Sequence, residues 1–469
     1  MDEPGECDQG PDGSRFRAQV VNPNRVAVAS SGTELEWLVN HVDRETGVGI
    51  ARGRALEAPD RMVFDELLEQ LGHPDLSFAT ILIAGTNAKT TTTWATAAIL
   101  RQTGYQVGTY ISPHLQSIYE RIAVDGTSIS VEQLCTALGA IVDIEPDLSG
   151  PLSWFEIMTA AAFVHFAARR VEVAVVETGL GGEFDATAAL YPVVTVVTNI
   201  DLDHTDQFGP TRADVARAEA SIVRPNTTLL LGVADPDLRE TFTTRILRPA
   251  VITGEDYVTR HLRRTPMGFT FDLITPMSQY RDLRTQLRGR HQPHALAMAI
   301  VGAELFTGPL DPIAVRVALE QLRSPGRFEV RDGDPTIVLD GAHNPAGARS
   351  LTSSLNDAFP ARGRLLVVGL SIDKPAVEIL NGLDAATATS VVCCAAQTPR
   401  ARPAAQVASA AREAGVLDER IVVDPSVADA VRSALRRAGP DEIVIVTGSL
   451  YVVGEARSWL DSGRGTDRE

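Results

Sequence analysis

Short apolar runs rich in Val, Ile and Leu alternate with helical patterns along most of the chain. Five of these runs lead into polar segments, at 81–84, 106–111, 171–176, 193–200 and 228–233. Between them, the patterns over 90–102 and 154–168 predict helices. Because buried parallel strands are apolar on both faces, the alternation predicts a parallel sheet covered by helices on both sides. Ligands of such sheets bind beyond the carboxyl ends of the strands, where the polar segments fall.

Two further patterns flank this core. Apolar residues at helical spacing predict a helical preface, interrupted by a loop near 46–54. These residues are Leu35, Leu38, Val39, Met62, Leu67, Leu68 and Leu71. Alternation over 265–287 predicts a small antiparallel insertion, and an Ala-rich helix is predicted over 292–306.

A second, smaller α/β domain is predicted after the turn Arg323-Ser-Pro-Gly-Arg327, which has the composition of a hinge between domains. Apolar strands recur beyond it at 336–339, 365–368, 391–394, 421–423 and 443–446. The chain is therefore divided into four parts. They are a disordered polar tail (1–30), a first α/β domain with the helical preface (31–322), a hinge (323–327) and a C-terminal α/β domain (328–469).

Length and charge narrow the classes of protein. At 469 residues with 44% apolar content, the chain is too long for one ordinary core. Its 60 acidic and 43 basic side chains give a net charge of −17, which repels a polyanionic backbone. We therefore expect no nucleic-acid partner. A small anionic substrate stays possible, because a local cleft can be basic on an acidic protein.

Cysteine usage and the absence of apolar spans predict a cytoplasmic protein. The spacing of Cys7, Cys135, Cys393 and Cys394 fits neither a disulfide framework nor a zinc site, which favours a reducing compartment. No apolar run reaches membrane-spanning length, and the polar, acidic first 16 residues are unlike a signal peptide. We expect no membrane partner.

A phosphate loop is predicted where the first apolar run ends. The loop consists of Gly85, Thr86, Asn87, Ala88, Lys89, Thr90 and Thr91. Glycine permits a tight turn, so that backbone N–H groups and the next helix N-terminus face an anion, and Lys89 adds a positive charge for the outer phosphates of a nucleoside triphosphate. The usual pattern has glycine where this chain has Ala88. The alternative is a strand and a helix joined by a polar turn.

A metal site is predicted beyond the strands at 171–176 and 193–200. Glu177 ends one strand and His204 follows the other, so a carboxylate and an imidazole could hold the Mg²⁺ of a nucleotide. Singly, a strand-end Glu often caps a helix and a lone His is often structural. A calcium loop starting at Asp201 is excluded, because its twelfth position is Arg212.

Two residues of the C-terminal domain are candidate nucleotide contacts. Asp340 ends a strand and could accept hydrogen bonds from a ribose, or it could cap the following turn. Arg327 in the predicted hinge could reach a phosphate across the cleft, since guanidinium binds oxyanions bidentately, or it could be solvated.

The order of these segments resembles folylpolyglutamate synthase and dihydrofolate synthase, which belong to the Mur ligase superfamily. The resemblance covers about residues 30–458. The matching segments are the phosphate loop, Ser112-Pro-His-Leu, Glu120-Arg121, Glu177-Thr-Gly-Leu-Gly-Gly, Asp185-Ala-Thr, Asp203-His204, His291-Gln292, Pro325-Gly-Arg327, Asp340-Gly-Ala-His-Asn-Pro, Gly369, Asp373-Lys374 and Gly448-Ser-Leu-Tyr.

The resemblance implies the Mur ligase architecture, in which a P-loop parallel-sheet ATPase domain precedes a smaller Rossmann-like α/β domain. It also implies an ATP- and Mg²⁺-dependent amide ligase that acts on small molecules. We expect a monomer. Such an enzyme phosphorylates a folate-like carboxylate, and the amine of glutamate then displaces phosphate. Hinge closure would complete the site, because its ligands come from both domains.

The same resemblance implies roles for individual residues. Lys89 would contact the phosphates, Ser112, Glu177 and His204 would bind the metal, and Arg327 and Asp340 would contact the nucleotide. The implied catalytic set is Lys89, Glu177, His204 and Glu219. The positions that match the pterin site are Ser153, Trp154, Phe155, Glu156, Phe184, Asp185 and Ala186.

Five positions depart from the family pattern. Glu219 stands where the family has a carbamylated lysine that helps to bind a second metal ion, and we hypothesise that its carboxylate serves instead, through a water. Ala88 would be strained if its φ is positive. Ala295 replaces an asparagine expected to contact the nucleotide base. On the side of the acceptor substrate, Glu183 replaces an arginine and Ala188 replaces an asparagine.

These departures keep two alternatives open. One is a paralogous ligase that joins a different acid and amine on the same scaffold. The other is a degenerate protein that binds nucleotide or pterin without catalysis. Retention of Lys89, Ser112, Glu177, His204, Arg327 and Asp340 argues against the second alternative.

Overall fold

The computed structural model describes residues 33–43 and 61–463. The predicted polar tail (1–30) and the loop predicted near 46–54 lie outside the described residues. No helix in the described ranges is long and apolar enough to cross a membrane.

An eight-stranded sheet organises the first part of the chain. Its strands are β1 (Ala79–Ala84), β2 (Val107–Tyr110), β3 (Ile122–Val124), β4 (Thr127–Ser128), β5 (Val173–Glu177), β6 (Val194–Val197), β7 (Thr228–Leu231) and β8 (Val251–Ile252), in the order β4-β3-β2-β5-β1-β6-β7-β8. The six strands from β2 to β8 in this order are parallel, which confirms the predicted sheet. The short strands β3 and β4 add an antiparallel edge that the apolar runs did not predict.

Helices cover both faces of this sheet. They are α1 (Thr33–Val39), α2 (Arg61–Gln70), α3 (Lys89–Gln102), α4 (Val131–Val142), α5 (Trp154–Ala168), α6 (Thr205–Phe208), α7 (Arg212–Ala220), α8 (Pro236–Thr243), α9 (Gln292–Thr307) and α10 (Pro312–Gln321). Alternate residues of β1 point to opposite cores: Leu82 packs with the core that includes α5, and Ile81 packs with the core that includes α3 and α9. The helical preface is confirmed as α1 and α2, but Val39 and Met62 are exposed, because neither lies on the buried face of its helix.

The predicted antiparallel insertion is a three-stranded sheet. It consists of β9 (Val258–Thr265), β10 (Gly268–Ile274) and β11 (Gln279–Thr285), so it begins earlier than the alternation indicated. Together with α1–α10 and the eight-stranded sheet, it forms what we call the first unit.

A six-stranded sheet organises the second unit. Its strands are β12 (Glu329–Arg331), β13 (Thr336–Leu339), β14 (Gly363–Val368), β15 (Ser390–Ala395), β16 (Ile421–Ser426) and β17 (Glu442–Thr447), in the order β12-β13-β17-β14-β15-β16. Only β12, which was not predicted, is antiparallel to its neighbour. The helices are α11 (Pro345–Ala358), α12 (Ala376–Gly382), α13 (Ala404–Glu413), α14 (Val427–Arg437) and α15 (Leu450–Asp461).

The two units contact each other closely. Segment 322–328 joins α10 to β12, and Ser324 in it shares a hydrogen bond of 3.0 Å with Thr91 of α3. Gly454 of α15 lies so near the first unit that a Cβ atom there would be 1.8 Å from the carbonyl oxygen of Leu115. The division of the chain at 323–327, and bending of the chain there, remain predictions.

Candidate active site

A cavity of about 1250 Å³ lies between the two units, at the carboxyl ends of the parallel strands of both sheets. Every residue that the sequence assigned to a site lines it except Trp154. The ring of Trp154 is buried, with the guanidinium of Arg121 stacked 4.6 Å from its centroid. Trp154 therefore belongs to the packing of α5 and does not line the cavity, and its place in the acceptor site stays a prediction.

The phosphate loop leaves β1 through two left-handed residues. Gly85 has a φ of 114°, and a Cβ atom there would be 2.4 Å from Oγ1 of Thr198, so only glycine fits. Ala88 has a φ of 65° and directly precedes α3, so the substitution falls on a position that disfavours a side chain. Lys89 lies over the loop, and its Nζ donates to the carbonyl of Gly85 at 2.7 Å.

Asn199, which follows β6, holds the first half of this loop. Its carbonyl accepts from the N–H of Thr86 at 2.9 Å, and its Oδ1 accepts from the N–H of Asn87 at 2.8 Å. Lys89 and Thr90 begin α3, a position at which N–H groups lack an acceptor within the helix and can face an anion. Thr86 and Asn87, by contrast, have their N–H groups engaged by Asn199.

Two buried carboxylates flank Lys89. Burial raises the pKa of Glu177 and of Glu219 to about 7, and the positive charge of Lys89 opposes this rise in both. Glu177 Oε1 accepts from Oγ1 of Thr90 at 3.1 Å, whereas Oε2 of each glutamate is buried and has no hydrogen-bond partner among the described residues. A Cβ atom at Gly181 would be 2.7 Å from Glu219 Oε2, so the glycine leaves room for this carboxylate.

Ser112 and His204 complete the predicted metal ligands. Ser112 is buried just beyond β2. Burial lowers the pKa of His204 to about 3, so its imidazole is neutral at physiological pH and able to bind a metal. In the described ranges, no three His, Cys, Asp or Glu side chains form a ready metal site. The unpartnered carboxylate oxygens nevertheless fit a hard divalent cation, which prefers oxygen ligands.

Arg327 and Asp340 face this wall from the second unit. An Nη2 of Arg327 donates to Oγ1 of Thr90 at 3.3 Å. The two oxygens of Asp340 accept from the backbone N–H groups of Phe328 at 2.7 Å and Ala342 at 2.9 Å. Asp340 therefore stabilises the turns around it, as in the capping alternative.

A group that the sequence did not assign to the site joins the units across the cavity. We call it the Asp203 cluster: Asp203 of the first unit with His343, Asn344 and Lys374 of the second. Lys374 Nζ forms an ion pair with Asp203 Oδ1, and Asn344 Nδ2 donates to Oδ2 at 2.9 Å. Burial raises the pKa of Asp203, but the hydrogen bond from His343 and the neighbouring positive charges lower it well below its usual value. The motif Asp373-Lys374 was the only signal for Lys374.

The candidate acceptor residues combine exposure with structural roles. Phe184 is 51% exposed in the cavity. Ser153 and Glu156 form a capping box at the start of α5. Asp185 accepts from the N–H groups of Gly181 at 2.8 Å and Thr187 at 2.9 Å. These hydrogen bonds fix the loop that presents Phe184.

The remaining departures are not equally placed. Glu183 lines the cavity, whereas Ala188 and Ala295 are buried and do not. His291 and His294 of the α9 region do line it, on the side where Ala295 was expected to affect base contacts. Of the last three departures, only Glu183 faces the cavity directly.

Comparison with known proteins gives matches over both units. The Mur ligase middle domain matches residues 83–303, and the Mur ligase, glutamate ligase domain matches residues 326–450. The dihydrofolate synthase/folylpolyglutamate synthase of Mycobacterium tuberculosis is 33% identical over an alignment of 492 positions, which covers 96% of this chain and 97% of its own length.

Solved structures agree with these matches. Mycobacterium tuberculosis folylpolyglutamate synthase complexed with ADP is 31% identical, with a TM-score of 0.82 over 92% of this chain and 98% of that one. A bifunctional folylpolyglutamate synthase/dihydrofolate synthase with Mn, AMPPNP and L-glutamate bound is 26% identical, with a TM-score of 0.79 over 92% and 99% of the two chains.

Proposed function

Because this chain belongs to the folylpolyglutamate synthase/dihydrofolate synthase family of Mur ligases, we propose that it is an ADP-forming ligase that joins a folate-like acid to the amine of glutamate. One observation carries the proposal. A single cavity contains a phosphate loop, Lys89 and two buried, incompletely bonded carboxylates on one wall and Arg327 on the other.

The chemistry has two steps. A carboxylate oxygen of the acid attacks the γ-phosphorus of ATP, which forms an acyl phosphate and releases ADP. The amine of glutamate then attacks the acyl carbon, the C–O bond to phosphate breaks, and the amine loses a proton as the amide forms. Both steps concentrate negative oxygens, so positive charge and N–H donors supply most of the catalysis.

The residues of this chain divide that work. Lys89 and the first N–H groups of α3 would bind the outer phosphates, and Arg327 would approach them from the second unit. Ser112, Glu177 and His204 would hold Mg²⁺, which when bound neutralises phosphate charge. Since His204 is neutral above about pH 3, it acts as a ligand rather than as a cation.

We also propose that Glu219 supports metal binding in place of a carbamylated lysine. Its unpartnered oxygen supports this role. Glu219→Ala should raise the Mg²⁺ concentration needed for half-maximal activity on the order of 10-fold, because loss of a supporting group lowers metal affinity. Unchanged activity and metal dependence in Glu219→Ala would exclude the role.

The direct test is phosphate release with ATP, Mg²⁺ and L-glutamate, using dihydropteroate or a folate as the acid. Release should require all components. Lys89→Met should lower it by about 1000-fold, as loss of a phosphate-stabilising cation does. If no phosphate is released with either dihydropteroate or a folate, the folate assignment is excluded.

A second candidate function rests on Glu183. This carboxylate lines the cavity where the family has an arginine. Its negative charge would repel an anionic group that an arginine would attract, and so would favour a different acid substrate. A panel of other acids and amines in the same assay distinguishes such a paralogue. Tight nucleotide binding without turnover of any pair would instead support a binding protein.

The proposal includes a monomer that acts in the cytoplasm on small molecules, without nucleic-acid or membrane partners. The net charge of −17 supports the exclusion of nucleic acid.

A further inference from the structure

The Asp203 cluster lies where the two units meet the phosphate loop. Asp203 is 8% exposed, and within the part of the chain that the structure describes, its one hydrogen bond from its own unit comes from the N–H of His204 to Oδ1 at 2.9 Å. The other contacts come from the second unit: Lys374 on Oδ1, and Asn344 and His343 on Oδ2, the last at 3.4 Å. Separation of the units would replace all three with water.

Asn344 extends this contact to the phosphate loop. Its Nδ2 also donates to Oδ1 of Asn87 at 3.1 Å, and its Oδ1 accepts from the N–H of Gly347 at 2.7 Å, which caps α11. Both ends of the amide are therefore engaged, and Asn344 is 1% exposed. The start of α11 is fixed to Asp203 and to the loop at once.

We propose that Asp203 is a positioning residue that sets the closed arrangement of the second unit on the phosphate loop, through Lys374 and Asn344. The inference rests on the proposed function, because it assigns a role within that reaction. Closure through Asp203 places Arg327, which reaches Thr90, over the phosphates.

The energetics of a buried ion pair suit this role. The attraction between Lys374 and Asp203 is largely offset by the loss of their hydration, so the pair adds little net stability. It does, however, oppose every arrangement in which one partner is buried alone. The cluster thus selects one closed geometry without holding the cleft shut, and nucleotide binding is left to shift the balance between open and closed states.

A double-mutant cycle tests the inference. Asp203→Asn and Lys374→Met should each lower kcat on the order of 100-fold, because each leaves an unpaired buried group in the closed state. The affinity for AMPPNP with Mg²⁺ should change less, since most nucleotide contacts lie in the first unit. The double variant should be no worse than either single variant. Losses that multiply would overturn the inference.

A second measurement does not depend on turnover. Small-angle scattering with AMPPNP and Mg²⁺ should show compaction of the wild-type chain and a smaller compaction of Lys374→Met. Equal compaction of the two would also overturn the inference. If the wild type compacts but turns over neither dihydropteroate nor a folate, the function assignment fails while the positioning role stands.

Asp418→Asn is the matched control. It removes an ion pair of 2.6 Å between Arg412 and Asp418, which lies within the second unit and away from the cavity. Its kcat and compaction should equal those of the wild type. Should Asp203→Asn fail to fold, the cycle is replaced by Lys374→Met with Asn344→Ala, each of which removes a different contact to Asp203.

Discussion

Glu177 and Asp340 are carboxylates at the carboxyl ends of buried strands, one in each unit, and they differ in how completely their oxygens are hydrogen-bonded. They are 2% and 7% exposed, and burial raises the pKa of both. Asp340 has both oxygens bonded to backbone N–H groups. Glu177 has one oxygen bonded to Thr90, and its other oxygen has no partner in the described ranges 33–43 and 61–463.

The difference separates two uses of the same strand-end position. In the first unit, Glu177 and Glu219 keep free acceptor atoms beside Lys89, which suits binding of a cation that bridges protein and phosphate. In the second unit, Asp340 and Asn344 have their acceptors occupied, and they fix loops and contacts between units. At the first sheet edge the carboxylates keep acceptor atoms open toward the cavity, and at the second the acceptors are used in hydrogen bonds within the protein.

The largest expected effect comes from Glu177→Gln in the metal-free protein. Below pH 4.5 the carboxyl is protonated in the folded and unfolded chains alike. As the pH rises from 4.5 to about 7, the stability that the buried neutral group contributes is lost, and above pH 7 the loss amounts to about 3 kcal/mol. Gln stays neutral, so Glu177→Gln should be more stable than the wild type at pH 8 and similar at pH 4.5.

Denaturant unfolding with EDTA at the two pH values measures this effect. Glu183→Gln, which changes an exposed carboxylate in the same cavity, should change stability by less than about 0.5 kcal/mol. Lower stability of Glu177→Gln at pH 8 would show that its carboxylate is satisfied, and the comparison would no longer hold.

Asp340→Asn should have a smaller effect of the opposite sign. An amide has one acceptor oxygen, so either the N–H of Phe328 or that of Ala342 loses its partner, at a cost of about 2 kcal/mol. Unfolding measurements should show this loss, with little change in AMPPNP affinity. Unchanged stability with much weaker nucleotide binding would instead favour the ribose contact that the sequence suggested.

The smallest effect concerns Ala88. Its left-handed conformation costs an L-residue roughly 1 kcal/mol, so Ala88→Gly should stabilise the chain by about that amount. Ala98→Gly, in the interior of the same helix, should destabilise it by about 1 kcal/mol. If both variants lose stability equally, the backbone at Ala88 is not strained.

The features that could be predicted are those that leave a recognisable pattern within a short stretch of sequence. Burial on both faces makes β1 and β6 apolar at all but one position each, and Gly85 and Lys89 mark the loop between strand and helix. The antiparallel strands β3 and β12 have no such pattern, because each is only three residues long. Ser153 and Glu156 have the spacing of a capping box, a second local pattern that the structure contains. The hydrogen bonding of Asp340 and the Asp203 cluster depends on which loops meet, and Asp203 and Lys374 lie 171 residues apart.

The contact between Gly454 and Leu115 limits which sequences can remain active. A methyl group at 454 would overlap a backbone oxygen of the other unit at 1.8 Å, and backbone cannot rotate away as a side chain can. Mutational tolerance at this position is therefore minimal, although Gly454 does not line the cavity. A loss-of-function allele can arise here with every nucleotide-facing residue intact, which a survey of the active site alone would overlook.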